Sequence, residues 1–179
     1  MSEFKTFTFG APEPRHPEDD DEEHVKAWLE RDLERLLSAA EAAELPLNRR
    51  QITTELHQAP HRQPPNLPYG KVAIYAWLLR EDQCLKCGKA GPNSSARYTS
   101  MHYNPNSSGS NLAKSLITSG ERIGIRGLTE TTVGPWIREN TMRVNLLFPI
   151  DMMDPRALAY YEAFLHVRWK PIFEGREWI

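Results

Sequence analysis

Residues 71–103, KVAIYAWLLREDQCLKCGKAGPNSSARYTSMHY, decide the fold, because only here do strand-like apolar runs lead straight into a cluster of reactive side chains. Residues 72–79 are apolar and rich in aromatic and branched side chains, and the polar run 80–83 is short enough to turn the chain back into a second strand. The pattern predicts a hairpin. Alternation puts Ala73, Tyr75, Trp77 and Leu79 on one side, and Cys84, Lys86 and Gly88 on one side of the partner. With an even loop, such as Glu81-Asp82, Tyr75, Trp77 and Lys86 point the same way; an odd loop separates them. By the same alternation Cys84 and Cys87 fall on opposite faces unless the backbone bends.

After Gly88 the segment 89–92 breaks the strand, and Asn93 or Ser94 caps a helix carrying Arg97, Met101, His102 and Tyr103. A phenol, an amine, a guanidinium and an imidazole therefore converge from adjoining elements. That set suits a phosphodiester: Arg matches the fork of phosphate oxygens and Lys supplies a point charge. A tyrosine beside two cations is expected to ionise more readily than its unperturbed pKa of about 10.

A chain of 179 residues fits one compact domain with an appendage and can bury a core without disulfides. Two cysteines three apart, no secretory leader and no long apolar span lead to the expectation of a cytoplasmic protein with no membrane partner. Net charge is −2, unevenly spread: residues 1–46 carry 5 Lys/Arg against 13 Asp/Glu, and residues 47–179 carry 17 against 11. A basic body attracts a polyanion and an acidic arm keeps it soluble or competes for the same surface; two solvated faces explain the charges equally well.

In residues 1–17 the prolines read as an irregular lead-in, with Phe4, Phe7 and Phe9 alternating as in a short strand. Residues 20–43 form an amphipathic helix with Val25, Leu29, Leu33, Leu36 and Leu37 on one face. Residues 47–59, LNRRQITTELHQA, read as a second, shorter helix with Ile52 and Leu56 inward, the start of a DNA-reading helix pair or of any helical hairpin. The run 60–69, with four prolines, reads as a linker, which divides the chain into an acidic helical extension with linker, 1–66, and a main domain, 67–179.

Beyond a polar loop, residues 111–119 predict a short helix closed by Gly120. Residues 121–140 show no period, and Gly124, Gly127, Gly134 and Pro135 suggest an elaborated loop carrying Arg122, Arg126 and Arg138, a candidate for substrate contacts or a variable surface insertion. Residues 143–149 predict a third strand, and Asp154-Pro155 start a helix that runs to about Trp169. Leu158, Tyr161, Leu165 and Trp169 form its inner stripe, and Glu162 falls on the same face. A carboxylate there needs Arg97, Lys86 or a metal ion.

Taken together these residues resemble the GIY-YIG nuclease superfamily, named for two short motifs on adjacent antiparallel strands, followed by an arginine on one helix and a glutamate on a later one. The first motif is similar to Ala73-Ile74-Tyr75 and the second to Lys86-Cys87-Gly88, with Arg97 and then Glu162 in ALAYYEAFLHVRWKP; the likeness covers residues 71 to about 175. It implies an α/β (α+β) fold, a small three-stranded antiparallel sheet flanked by helices, here behind an N-terminal helical extension. It also implies a hydrolytic endonuclease acting on nucleic acid, double-stranded DNA above RNA, with one Mg2+ or Mn2+ ion and a place in restriction, defence or mobile-element function.

By that likeness Tyr75 takes a proton from the attacking water, Lys86 lowers the phenol's pKa or positions the water, Arg97 stabilises negative charge at phosphorus, and Glu162 anchors the metal. His102 relays a proton or holds a phosphate, or is a packed histidine; Lys89 contacts the backbone or is a basic rim residue. Two positions depart from the family pattern. Lys86 replaces the second-motif tyrosine, as in a subgroup that includes restriction endonucleases, and Glu174 in KPIFE stands where a late asparagine is common. A nucleic-acid-binding or scaffolding protein that keeps the fold without catalysis is the alternative those departures favour. The Cys84-Leu85-Lys86-Cys87 stretch lacks the further ligands zinc requires and any redox-fold pattern, so small core residues explain it better. Cutting both strands of a duplex would favour a homodimer or two sequential events, and the residues leave both open.

Overall fold

The computed structural model describes residues 19–79 and 83–174 of the chain. The expected strand around Phe4, Phe7 and Phe9 and the tip of the 80–83 turn lie outside them. The fold is a mixed α/β arrangement, a four-stranded antiparallel sheet with helices on both faces. In chain order its main elements are α1 (Asp19–Ala42), β1 (Thr53–His57), β2 (Lys71–Leu78), β3 (Cys84–Ala90), α2 (Ser95–Thr99), α3 (Leu112–Ser119), α4 (Val133–Asn140), β4 (Met142–Pro149) and α5 (Pro155–Trp169).

The sheet order is β1-β4-β2-β3, so the expected hairpin and third strand are present and a fourth strand joins them. That strand corrects the helix expected over 47–59. Asn48 Oδ1 accepts from Arg50 N–H and Gln51 Oε1 accepts from Asn48 N–H, which closes only a single 3-10 turn, Arg49–Gln51. Beyond it the β-branched pair Thr53-Thr54 leads into a strand that satisfies the outer edge of β4, with Thr53 opposite Leu147 and His57 opposite Arg143. Residues on both sides of the Pro-rich segment thus build one sheet.

One face of the sheet packs on α1 and α5. Val25, Leu29, Leu33, Leu36 and Ala40 of α1 meet Ile74, Ala76, Val144 and Leu146 of the strands and Leu158, Tyr161, Leu165 and Trp169 of α5, all buried. Asp32, itself 1 % exposed, fastens the two helices by accepting from Arg35, from Nε and Nη2 of Arg168 and from Trp169 Nε1. Asp154 caps α5 by accepting from Arg156 N–H, with Pro155 at the first helical position, as its sequence predicts.

The other face packs on α2, α3 and α4. Here α4 corrects the reading of 121–140 as loop. Pro135 lies in the first turn of α4, where its missing N–H has no helical partner to lose. A Cβ on Gly134 would come 2.7 Å from the Tyr103 carbonyl oxygen, so the glycine marks a close approach between α4 and the turn after α2. The expected helix around Arg97 is divided: α2 covers five residues and a 3-10 turn, Met101–Tyr103, follows it.

Between Trp77 and Leu78 the β2–β3 register slips, with Trp77 opposite Lys86 and Leu78 opposite Cys84. Leu85 is the extra residue of this bulge, and it turns Cys84 to the same side as Cys87. Both thiols are buried in the α1/α5 core. After α5 the chain turns at Lys170, φ 45°, and Ile172 and Phe173 donate to the carbonyls of Cys84 and Leu85, covering the outer edge of β3. Among the described residues no helix is long and apolar enough to cross a membrane.

Candidate functional site

Antiparallel pairing sets side chains of opposed residues on the same face, and the register therefore lays out two polar rows across four strands. One row runs Glu55, Asn145, Tyr75, Gly88 and the next His57, Arg143, Trp77, Lys86. Tyr75 and Trp77 belong to the core on the α2–α4 side, so both rows face those helices. A Cβ at Gly88 would lie 3.1 Å from Tyr75 Oη, so the absence of a side chain there lets the phenol lie across β3.

Tyr75 Oη is 3.0 Å from His102 Nε2. The other ring nitrogen, Nδ1, accepts from the backbone N–H of Leu112 at 3.3 Å, so it carries no proton and Nε2 does. The imidazole therefore donates and the phenol oxygen accepts, leaving the phenol's own proton free to point elsewhere. Burial, followed by the charges of Lys86, Arg143 and Arg97, pushes His102 down to about 2, which keeps the ring neutral.

Tyr75 itself is 1 % exposed, and burial raises its pKa against the opposing pull of Arg97 and Arg143. The readily ionised phenol expected from sequence is thus corrected: desolvation of the phenolate outweighs the neighbouring cations. The charge of Glu162 adds to the rise.

The other site residues fall on both faces of the sheet. Arg97 is exposed on α2, and its charge acts on both Tyr75 and His102. Lys86 is 3 % exposed; its ammonium donates to Ser110 Oγ at 3.1 Å and the Phe173 carbonyl at 3.2 Å, and pairs with Glu174 at 2.7 Å. Glu162 meets neither Lys86 nor Arg97, as the helix reading expected, but Lys89. The reason is the register: Lys89 opposes Ile74, which faces α5, whereas Lys86 opposes Trp77 on the other face.

The sequence reading missed Arg143, Asn145 and Glu55. Arg143 is 0 % exposed, and Nε, Nη1 and Nη2 donate to Asn145 Oδ1, Tyr103 Oη and the Tyr98 carbonyl. Asn145 Nδ2 passes the chain on to Glu55 Oε2 at 3.0 Å. The signal was present in RVNLLFP, where Arg143 and Asn145 alternate with Val144 and Leu146 and so share a strand face.

Among the described residues no group of three or more His, Cys, Asp or Glu forms a metal cluster. A single carboxylate still suits Mg2+, which keeps several waters and is commonly held through one or two carboxylates. Glu162, with a side chain 18 % exposed at the rim, is the residue that would hold it, and Lys89 would have to release the oxygen it binds. An open cleft of about 580 Å3 lined by Pro60, His61, Arg62, Gln63, Arg138 and Glu139 includes none of the predicted site residues. Compared with protein-family models, with curated proteins and with solved structures, the chain matches none.

Proposed function

We propose that the protein is a metal-dependent endonuclease of GIY-YIG type that hydrolyses phosphodiester bonds in DNA. The observation that carries this reading is the Tyr75–His102 hydrogen bond above Gly88, with Arg97 on the same side of the sheet and the charge of Glu162 acting on the phenol from the α5 side. The order of those residues on strand, strand, helix and later helix matches the family resemblance.

Hydrolysis breaks one P–O ester bond and forms another from water, whose proton must be taken up. Tyr75, a neutral phenol, orients the water through Oη, which the Nε2–H of His102 holds in place; the water's proton passes to solvent and the leaving ester oxygen takes one up. Arg97, exposed on α2, meets the phosphate oxygens. Lys86 holds the Ser110 loop and the segment after α5 against β3, and its charge adds to burial in keeping His102 neutral. Glu162 would hold a divalent cation, which when bound would supply positive charge toward the scissile phosphate.

A second reading, a nucleic-acid-binding protein of the same fold without catalysis, is favoured by the 1 % exposure of Tyr75 and by the pairing of Lys86 with Glu174. Supercoiled plasmid incubated with the protein and Mg2+ separates the two. The nuclease reading expects nicking that is lost in Glu162→Ala while DNA binding persists. Binding by the parent without metal-dependent nicking selects the second reading.

A further inference from the structure

Arg143 is the largest fully buried cation of the described residues, and none of their carboxylates lies within ion-pair distance of it. Its guanidinium carbon lies 5.6, 5.0 and 4.7 Å from the ring centres of Tyr75, Trp77 and Tyr98. A buried charge without an acid is costly, and an apolar residue of similar volume would serve packing better.

Its hydrogen bonds show what the charge is placed to do. Nη2 holds the carbonyl of Tyr98, the neighbour of Arg97, and Nη1 holds the hydroxyl of Tyr103, the neighbour of His102. One side chain on β4 thus ties both ends of the segment that carries the exposed arginine and the imidazole. The groups facing His102 are Tyr75 from β2, Lys86 from β3, Arg143 from β4, Arg97 from α2 and the Leu112 N–H from α3. Every charged member of that set is a cation, and Arg143 is the one with no exposed surface.

We propose that Arg143 is a positioning residue of the Tyr75–His102 pair: it pins the Arg97–Tyr103 segment over the sheet and so holds the imidazole in the orientation whose Nε2–H donates to the phenol oxygen. Its consequence for hydrolysis rests on the nuclease reading; its effect on the imidazole does not. Protonation of the ring would set an Nδ1–H against the Leu112 N–H, and the nearby guanidinium opposes that charge.

The test is 15N NMR of the histidine rings in the full chain, beside plasmid nicking, for the parent, Arg143→Met and Arg143→Lys. The parent is expected to keep His102 neutral with the proton on Nε2 from pH 8 to pH 5. Arg143→Met is expected to lose the fixed tautomer, with the Nδ1 and Nε2 shifts drawn together as in a mobile imidazole, and to lower the nicking kcat at least tenfold with little change in KM. Arg143→Lys, which keeps the cation and loses the fork, is expected to show the same loss in part. A parent with Nδ1 protonated or a charged ring at pH 6 overturns the proposal without any variant, as does a folded Arg143→Met with unchanged His102. If Arg143→Met does not fold, an Arg143→Lys ring that keeps the parent's fixed tautomer overturns it. A responsive His102 in a parent that never nicks DNA supports the proposal and removes the nuclease reading instead.

Discussion

Replacing Gly88 with alanine adds one methyl group at the point where the two core motifs meet. The new Cβ would lie 3.0 Å from Tyr75 Cε2, 3.1 Å from Oη and 3.2 Å from Cζ, all inside ordinary contact of 3.4–4 Å. The ring must retreat by a few tenths of an ångström, and its neighbours leave little room. Trp77 and His102 have ring centres 5.3 Å away, Tyr98 is at 6.2 Å, and the Arg143 guanidinium closes a further side at 5.6 Å. Overpacking a dense interior costs about 1–3 kcal/mol, and that is the expected loss of unfolding free energy.

The same displacement stretches the 3.0 Å bond to His102. If Tyr75 orients the attacking water, misplacement on this scale lowers nicking roughly 3- to 10-fold, since about 1 Å at a reacting group costs about 100-fold. Gly91→Ala is the control, because nothing lies within 4 Å of a Cβ there. It should change stability by less than about 0.5 kcal/mol. Urea denaturation and plasmid nicking measure the two effects. A Gly88→Ala protein as stable and as active as Gly91→Ala would refute the close approach of phenol and strand.

Acid should destabilise the fold through His102 and His61, which burial first of all pushes down to about 2 and about 4 from the ordinary 6.5. A depressed histidine leaves the unfolded chain binding more protons, so this stability is complete above pH 6.5 and falls by about 1.4 kcal/mol per group for each pH unit below it, until the folded pKa is reached. Equal urea midpoints at pH 7.5 and 5.5 would contradict both assignments. Asp32→Ala strips the acceptor from the buried Trp169 indole N–H and from Arg168; unfolding free energy should drop by about 1–3 kcal/mol, and a drop below about 0.5 would show that the α1–α5 seam does not depend on it. Glu174→Asn leaves the 3 % exposed Lys86 with neutral partners, whereas Lys86→Tyr leaves a glutamate that is 20 % exposed and rehydrates, so the first should cost more. In the double exchange the two losses should fall short of their sum by about 1 kcal/mol or more, and strict additivity would dissolve the pairing.

The hairpin, the helix after Asp154 and the helix over residues 19–42 were legible because each rests on a local signal: alternation, a cap followed by proline, or leucines at helical spacing. The strand Thr53–His57 was not, because Ile52 and Leu56 are four apart and fit a helix as well as a strand; only the open edge of β4 decides between them. The helix Val133–Asn140 was hidden by Gly134 and Pro135, whose reasons are a contact with Tyr103 and a place in the first turn. Within the site, the shared face of Tyr75 and Trp77 followed from alternation, whereas Lys86 joins them only through the slip at Leu85, since Leu78 opposite Cys84 would otherwise set Leu85 opposite Trp77. The partner of Glu162 did not, since a register slip at Leu85 and the helix-to-strand packing together bring Lys89 to it.

The strand that sequence misassigned is also the one that completes the polar rows. Arg143 reaches an acid only through Asn145, whose Nδ2 donates to Glu55 on β1, and Tyr98 Oη donates to the same carboxylate oxygen at 3.4 Å. Without β1 the amide of Asn145, which is 0 % exposed, would lack that acceptor, and the buried guanidinium would lose its one relayed counter-charge. Burial first, then the charges of Lys86, Arg143 and Arg97, keeps His102 neutral, and the Leu112 N–H at Nδ1 sets the direction of the Tyr75–His102 bond. A strand from before the Pro-rich segment therefore anchors the relay that holds the Tyr98–Tyr103 segment, and the polar rows extend across all four strands of the sheet.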